Sequence, residues 1–268
     1  MELRAGVREQ ALHPFRDLIQ PVGFERITGH GFIACLHPMP FAQIIEPDNL
    51  HPEAVKAAVG EARTIVRERG NSLLAWWIAP EHEWMAEELM RVGLVNDVTP
   101  GFENIENAMV LVDTPTGECS DDVVVTEVES LEDLRASNDV SNSAFEVPQE
   151  MRDAMEATLP KQYKEYATPG NSARQFNASI DGVVVGTASA VRGPAGVNLF
   201  GGSVVSEARG QGVYRALTHA RWKFAVDSGA PALTVQAGRM SKPIVEELGF
   251  MLVGQVRVYV DEFTSSPS

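Results

Sequence analysis

Residues 206–229 read SEARGQGVYRALTHARWKFAVDSG. Two glycines, Gly210 and Gly212, stand directly behind Arg209, between an apolar run and a long amphipathic segment. Val213, Leu217, Ala220 and Phe224 recur at i, i+4, i+7 and i+11, which is one face of a helix, and Gly229 is a natural stop. The first turn of any helix has unpaired amides and the positive end of the helix dipole. An anion placed there gains several hydrogen bonds at once, provided the backbone carries no bulk, and glycines supply that freedom. Charge agrees with this. From Ala208 to Val226 there are four basic residues, Arg209, Arg215, Arg221 and Lys223, and no acid, in a chain of net charge −15. Strand, Arg209-Gly210-Gln211-Gly212 and helix together describe a phosphate cradle. A tight turn with a solvated basic face accounts for the glycines alone equally well.

Two better-known phosphate motifs do not fit. GxGxxG needs glycine at 215, where Arg215 stands, and GxxxxGK[ST] is absent. The acidic balance, 37 acidic against 22 basic side chains, excludes general nucleic-acid binding. Only Cys35 and Cys119 occur, without metal-ligand spacing, which suits a reduced, cytoplasmic protein with no metal. The start MELRAGVREQ has no signal-peptide character, and no apolar run approaches membrane-spanning length.

The turn-rich, acidic stretch 113–122, DTPTGECSDD, reads as a linker between halves at 1–115 and 123–268. In the second half, VVVTEV from Val123 is a strand and helical material follows from Leu131. Pro148 opens another helix, which Pro160 is expected to end soon after. Asp181-Gly182 between two β-branched runs predicts a type I′ hairpin. The strand Val197–Val205 contains Gly201-Gly202, which permits a bulge or the close approach of a ligand. Strand ALTVQA, helix PIVEELGF and MLVGQVRVYV, one or two strands, close the chain. The first half echoes this order with a helix ending at Gly70, the strand SLLAWWIAP, a helix ending at Gly93 and the strand NAMVLVD. EELMRVGLV beside VEELGFMLV suggests a divergent duplication.

SEARGQGVYRAL resembles the acyl-CoA-binding motif of the GNAT superfamily of N-acetyltransferases, Q/R-x-x-G-x-G/A. Arg209 and Gly212 stand at its first and fourth positions and Tyr214 at its sixth. The hairpin IDGVVVGTA and the ending EELGF are similar to the family as well, and the resemblance runs from about Val123 to Asp261. It implies an α/β fold of two GNAT-like domains in tandem, with mixed central sheets flanked by helices. The first domain is a degenerate copy: its helix begins at DNLHPEAV, with no glycine, so no coenzyme is expected there. In the second, Gly210, Gln211, Gly212, Val213, Tyr214 and Arg215 would give main-chain amides to the pyrophosphate of acetyl-CoA, behind Arg209. Val204 and Val205 would pair with the pantetheine arm like an added strand. The thioester would lie where strands 197–205 and 232–237 splay, with the Arg215 guanidinium toward the 3′-phosphate. The implied reaction is transfer of acetyl to a small-molecule amine, alone or in a homodimer. A non-catalytic acyl-CoA-binding module is the alternative.

The sequence also departs from the family. Tyr214 stands where glycine or alanine is usual, so its ring must turn away from the phosphates, into the core or against the coenzyme, and it is a candidate proton donor. Counting four back from Gly249, where the family carries an acidic tyrosine, gives Val245. Ser241 lies one turn earlier and is a candidate donor to the sulfur, although a serine before KPIVEE is also a good N-cap. The fourth strand carries no carboxylate, which leaves Glu146 as a distant candidate base, or water. HEWMA at His82 lacks the second histidine of HExxH, so a surface or capping histidine is expected. Trp76, Trp77 and Trp84 read as core. Glu150, Asp153 and Glu156 suit either a cationic acceptor or a solvated helix face.

Overall fold

A computed structural model describes residues 3–16, 25–36, 41–45, 47, 49–71, 73–98 and 102–262. The elements are, in order, α1 (Val7–Leu12), β1 (Glu25–Thr28), β2 (Ile33–Leu36), β3 (Ala42–Ile45), α2 (Val55–Glu68), β4 (Leu73–Ile78), α3 (Ala86–Arg91) and β5 (Ile105–Leu111). After these come β6 (Val124–Glu127), α4 (Leu131–Ala144), α5 (Gln149–Tyr166), β7 (Ala173–Ile180), β8 (Val183–Arg192), β9 (Val197–Val204), α6 (Val213–Asp227), β10 (Leu233–Ala237), α7 (Lys242–Glu247) and β11 (Met251–Glu262). No helix among the described residues is long and apolar enough to cross a membrane.

The chain forms two compact units that are not consecutive halves. One, here the loop unit, holds Met1–Gln10, Val110–Val235 and Ile244–Met251. The other, the first-half unit, holds Ala11–Met109, Gln236–Pro243 and Leu252–Ser268. The last strand therefore does not stay with the glycine loop. Val258 to Glu262 of β11 pair antiparallel with Trp77 to Leu73 of β4. Arg63 on α2 holds Asp261 of that strand through Nε at 2.6 Å and Nη2 at 3.0 Å.

In the loop unit the strand order is β10-β9-β8-β7-β6, with antiparallel pairs except for the parallel β9/β10. The hairpin joining β7 and β8 has positive φ at both Asp181 and Gly182, as the type I′ reading expects. Adjacent residues of a strand face opposite sides of a sheet. Gly186 faces α6, where an added Cβ would meet Val213. Its neighbour Thr187, in register with Asn177 and Ser203, belongs to the other face. There Ser137 of α4 donates to Asn177 Oδ1 at 2.7 Å, and Ser141 meets Ser203 at 3.3 Å. So α4 and α6 cover opposite faces. A capping box starts α4: Ser130 Oγ accepts from the Asp133 amide, and Asp133 Oδ2 accepts from the Ser130 amide. The bond from the Ser130 side chain, above all, holds the Asp133 carboxyl below its usual range.

Three expectations are corrected here. Pro160 does not end its helix, because α5 continues to Tyr166. A proline removes one i→i−4 bond but leaves those on either side, and with only Leu159 of α5 buried, little packing depends on its straightness. His82 is neither surface nor cap but buried, inside the 3-10 turn Pro80–Met85. Trp76 is core, whereas Trp84 is 40% exposed.

The first-half unit has the order β1-β2-β3-β4-β11-β5. Its first four strands run antiparallel, antiparallel, then parallel, with α2 as the parallel crossover and α3 after it. β7, β8, β9, α6, β10 and α7 repeat that order of directions in the loop unit. The two crossover helices begin differently. A 3-10 turn, Pro52–Ala54, precedes α2 without a glycine, while Asp48 lies outside the described residues.

Candidate functional site

The loop from β9 to α6 starts with a 3-10 turn, Ser206–Ala208, and ends at Gly212, which takes the N-cap position with φ 82°. Gly210 has φ 77°. Both are left-handed, a conformation that costs other residues about 1 kcal/mol or more, so backbone shape favours glycine at these two positions. Space at the loop is open. A Cβ at Gly210 would meet nothing within 4 Å, and one at Gly212 only Ser120 Cβ at 3.8 Å. Among the described residues, none of the amides from Gly210 to Arg215 has a hydrogen-bond partner. The Arg209 amide before them bonds Ser206 O at 3.3 Å, and the Ala216 amide after them bonds Gly212 O at 3.0 Å. Six consecutive unpaired donors at a helix start, with no side chain at Gly210 or Gly212 to crowd them, are what a diphosphate requires.

The two parallel strands open next to this loop. β9 and β10 pair only at Val197/Leu233 and Asn198/Thr234, and beyond those residues no register continues. On the other edge β9 remains paired with β8 but bulges. Phe200 opposes Ser189 and Ser203 opposes Thr187, so Gly201 and Gly202 stand against Ala188 alone. Past the bulge, the Val205 amide donates to Val185 O at 2.9 Å and is committed to β8. Successive amides of a strand alternate in direction, so Val204 directs its amide to the edge that β10 has left. Its carbonyl accepts a long 3.4 Å bond from Arg209 Nε. Gln211 is exposed, and its Nε2 donates to Glu207 O at 2.9 Å. Val213 is buried against the sheet.

Of the three basic residues Arg215, Arg221 and Lys223 of α6, two depart from a simple basic face. Arg215 lies across residues 117–118: a Cβ on Gly117 would be 2.9 Å from its Cζ, and its Nη1 approaches Glu118 O at 3.5 Å. Its Nε is buried without a partner. His219 Nε2 meets Gly117 O at 3.1 Å. The stretch expected as a linker is therefore packed on the first turns of α6. Arg221, read from sequence as part of a basic run suited to a bound anion or to a solvated face, is 1% exposed, and its side chain turns back along the helix to Leu217 O at 3.1 Å and Thr218 Oγ1 at 3.2 Å. Burial pushes its guanidinium below its usual value. Lys223 is exposed and pairs with Asp227. The buried face of α6 consequently runs through Val213, Leu217, Arg221 and Ala225 rather than ending on Phe224.

Tyr214 turns its ring away from the loop, onto β9. A Cβ on Gly202 would be 2.8 Å from its Cε2, and the Arg221 guanidinium carbon lies 5.4 Å from the ring centroid. Glu146 is exposed in the turn after α4, with φ 52°, apart from the loop's polar contacts. Ser241, in the first-half unit, does not cap α7; its hydroxyl donates to Gly238 O at 3.4 Å. Pro243 removes one of the two amides that an N-cap serine there would serve. Val245, where the family resemblance puts a tyrosine, is a fully buried core residue. The 117–120 segment was read from sequence only as linker, and Arg221 only as part of the basic run, not as a buried neighbour of Tyr214. The i+7 spacing of Arg221 from Tyr214, which puts both on one helix face, was the available signal.

A groove of about 440 Å³ in the first-half unit, lined by Ile78, Pro80, Glu83, Leu252, Gln255 and Arg257, holds none of these residues. It carries an exposed Arg257–Glu83 pair at 2.9 Å.

No protein-family model matches the sequence, and no curated protein does either. Solved structures do match. A GCN5-related N-acetyltransferase from Kribbella flavida is 18% identical, with 95% of each chain covered and a TM-score of 0.68. A tandem GNAT protein from the clavulanic acid biosynthesis pathway is 16% identical, covering all of this chain and 91% of its own at TM-score 0.63. A GCN5-related N-acetyltransferase from Sphaerobacter thermophilus is 12% identical over 87% of this chain and 81% of its own, at 0.62. The chain has the mixed α/β fold of the GNAT N-acetyltransferases, and it matches a tandem GNAT protein over its full length.

Proposed function

We propose that the chain is an acetyl-CoA-dependent N-acetyltransferase that passes an acetyl group to a primary amine of a small molecule by direct attack. The six unpaired amides from Gly210 to Arg215 carry this reading. They would hold the coenzyme's diphosphate, while Val204, whose amide faces the free edge of β9, would pair with the pantetheine arm. Val205 contributes shape rather than an amide, since its own is used by Val185. The thioester would then sit where β9 and β10 part. Direct attack needs mainly positioning, which suits a site whose β9 carries no carboxylate. The attacking nitrogen loses its proton to water. In this reading the coenzyme belongs to residues 123–268, with 113–122 forming part of the nucleotide wall, and residues 1–115 carry no coenzyme loop. The two unpaired cysteines suit a reducing cytoplasm.

A non-catalytic acyl-CoA-binding module is the second reading, favoured by the buried Val245 at the usual acid position. Turnover separates the two. A panel of primary amines with acetyl-CoA should release free thiol. Tight CoA binding without thiol release from any amine would favour the binding module.

A further inference from the structure

Arg221 is a buried cation without a carboxylate. Its polar partners are neutral, Leu217 O, Thr218 Oγ1 and the face of Tyr214, and it is absent from every ion pair among the described residues. Stripping water from a lone guanidinium costs several kcal/mol, and an apolar side chain of similar volume would fill the space without that cost. The cation pays back where negative charge develops beside it. The nearest group able to take such charge is the Tyr214 phenol, which favours the charged form of Arg221 and opposes the effect of burial.

We propose that Tyr214 protonates the departing thiolate and that Arg221 is the positioning residue that supports it in that role, a proposal that rests on the acetyl-transfer reading above. Side chains on a helix lean toward its N-terminus, so Arg221, two turns on, reaches back beneath Tyr214. The ring is held from the other side by Gly202, in the bulge of β9. Gly202 lies beyond Asn198, where β10 has departed. Tyr214 thus has its amide among the six unpaired donors and its ring against Gly202, on the stretch of β9 past its pairing with β10. In the step, the amine nitrogen bonds the carbonyl carbon and the C–S bond breaks. The sulfur pair takes the phenol proton, leaving phenolate beside the guanidinium. The newly acylated nitrogen gives its proton to water and the phenolate recovers one from water, giving amide and free thiol.

The test is a double-mutant cycle on the full chain with acetyl-CoA and the best amine, in which kcat and KM are measured alongside CoA affinity by calorimetry. Positioned acids contribute about 10²-fold or more, and residues acting as a unit are strongly non-additive. Tyr214→Phe and Arg221→Met should each lower kcat about 100-fold. The double variant should be no worse than Tyr214→Phe, and CoA affinity should stay within about twofold. Arg221→Lys, which keeps the charge, should recover kcat to within about tenfold of wild type. If Arg221→Met does not fold, the cycle runs with Arg221→Lys, whose effect must vanish in the Tyr214→Phe background. Multiplying losses, an unaffected kcat in Tyr214→Phe, or a loss confined to CoA affinity would overturn the proposal while leaving acetyl transfer standing. Wild type that binds CoA but acetylates no amine would overturn both.

Discussion

A side chain on Gly202 would place its Cβ 2.8 Å from Cε2 of Tyr214, closer than packed carbon atoms come. The neighbouring Gly201 differs: it has open space, with Ser189 Oγ at 3.7 Å, but φ of 55°. Two adjacent glycines are thus required for different reasons, one by a ring and one by backbone shape. Gly202→Ala should cost about 1–3 kcal/mol through overpacking, and Gly201→Ala about 1 kcal/mol through backbone strain. Denaturant unfolding in a Tyr214→Ala background distinguishes them. The Gly202→Ala penalty should shrink there and the Gly201→Ala penalty should persist.

Glu106, at the start of β5, is pushed up to about 7, first by burial and second by the Glu103 carboxylate. A carboxyl raised on folding favours the folded chain when protonated. Its contribution is complete below the ordinary value of 4.5 and is lost as pH rises through about 7. The chain should therefore be less stable at pH 8.5 than at pH 5, by up to about 3 kcal/mol from this group. Glu106→Gln should remove that part of the pH dependence. Urea unfolding at the two pH values checks it, and an unchanged slope in the variant would contradict the assignment.

Asp261 is 3% exposed and is held bidentately by Arg63. The hydrogen bonds to Asp261 are the main reason the Arg63 guanidinium is raised above its usual value. Arg63→Ala strands the carboxylate in the first-half unit and should cost about 3 kcal/mol or more. CoA affinity measured well below the unfolding transition should be unaffected, which separates this anchor from the candidate site.

Pro160 sits inside α5, where it denies a hydrogen bond to the Glu156 carbonyl. Its replacement by alanine should stabilise the chain by about 1–3 kcal/mol, since the position is exposed and helical. A variant of equal or lower unfolding midpoint would indicate that the proline serves α5 in another way.

These cases mark where sequence reading succeeds and where it stops. Asp181-Gly182 forces its hairpin through local backbone preference, so the turn could be read directly. The same holds for Gly210 and Gly212, whose spacing before an amphipathic run announces the loop. Pro160 misled because a local rule was applied to a helix that tolerates one missing bond. Arg221 misled because charge alone says solvent, while its helix phase relative to Val213 and Leu217 says interior. The pairing of β11 with β4 joins residues far apart in sequence, and no local pattern records it. Glu106 looks like any surface acid until the neighbours that bury it are known.

Calorimetric titration of CoA into the wild-type chain and into Gly212→Asp tests the central claim most directly. Asparagine and aspartate tolerate left-handed backbone better than most residues, and a Cβ at Gly212 would meet only Ser120 Cβ, at an ordinary contact distance of 3.8 Å, so the variant should fold, with a carboxylate set against the diphosphate. The account predicts saturable binding to wild type and its loss, by at least about 100-fold, in the variant. Equal affinity in both would show that the amides from Gly210 to Arg215 do not hold the coenzyme.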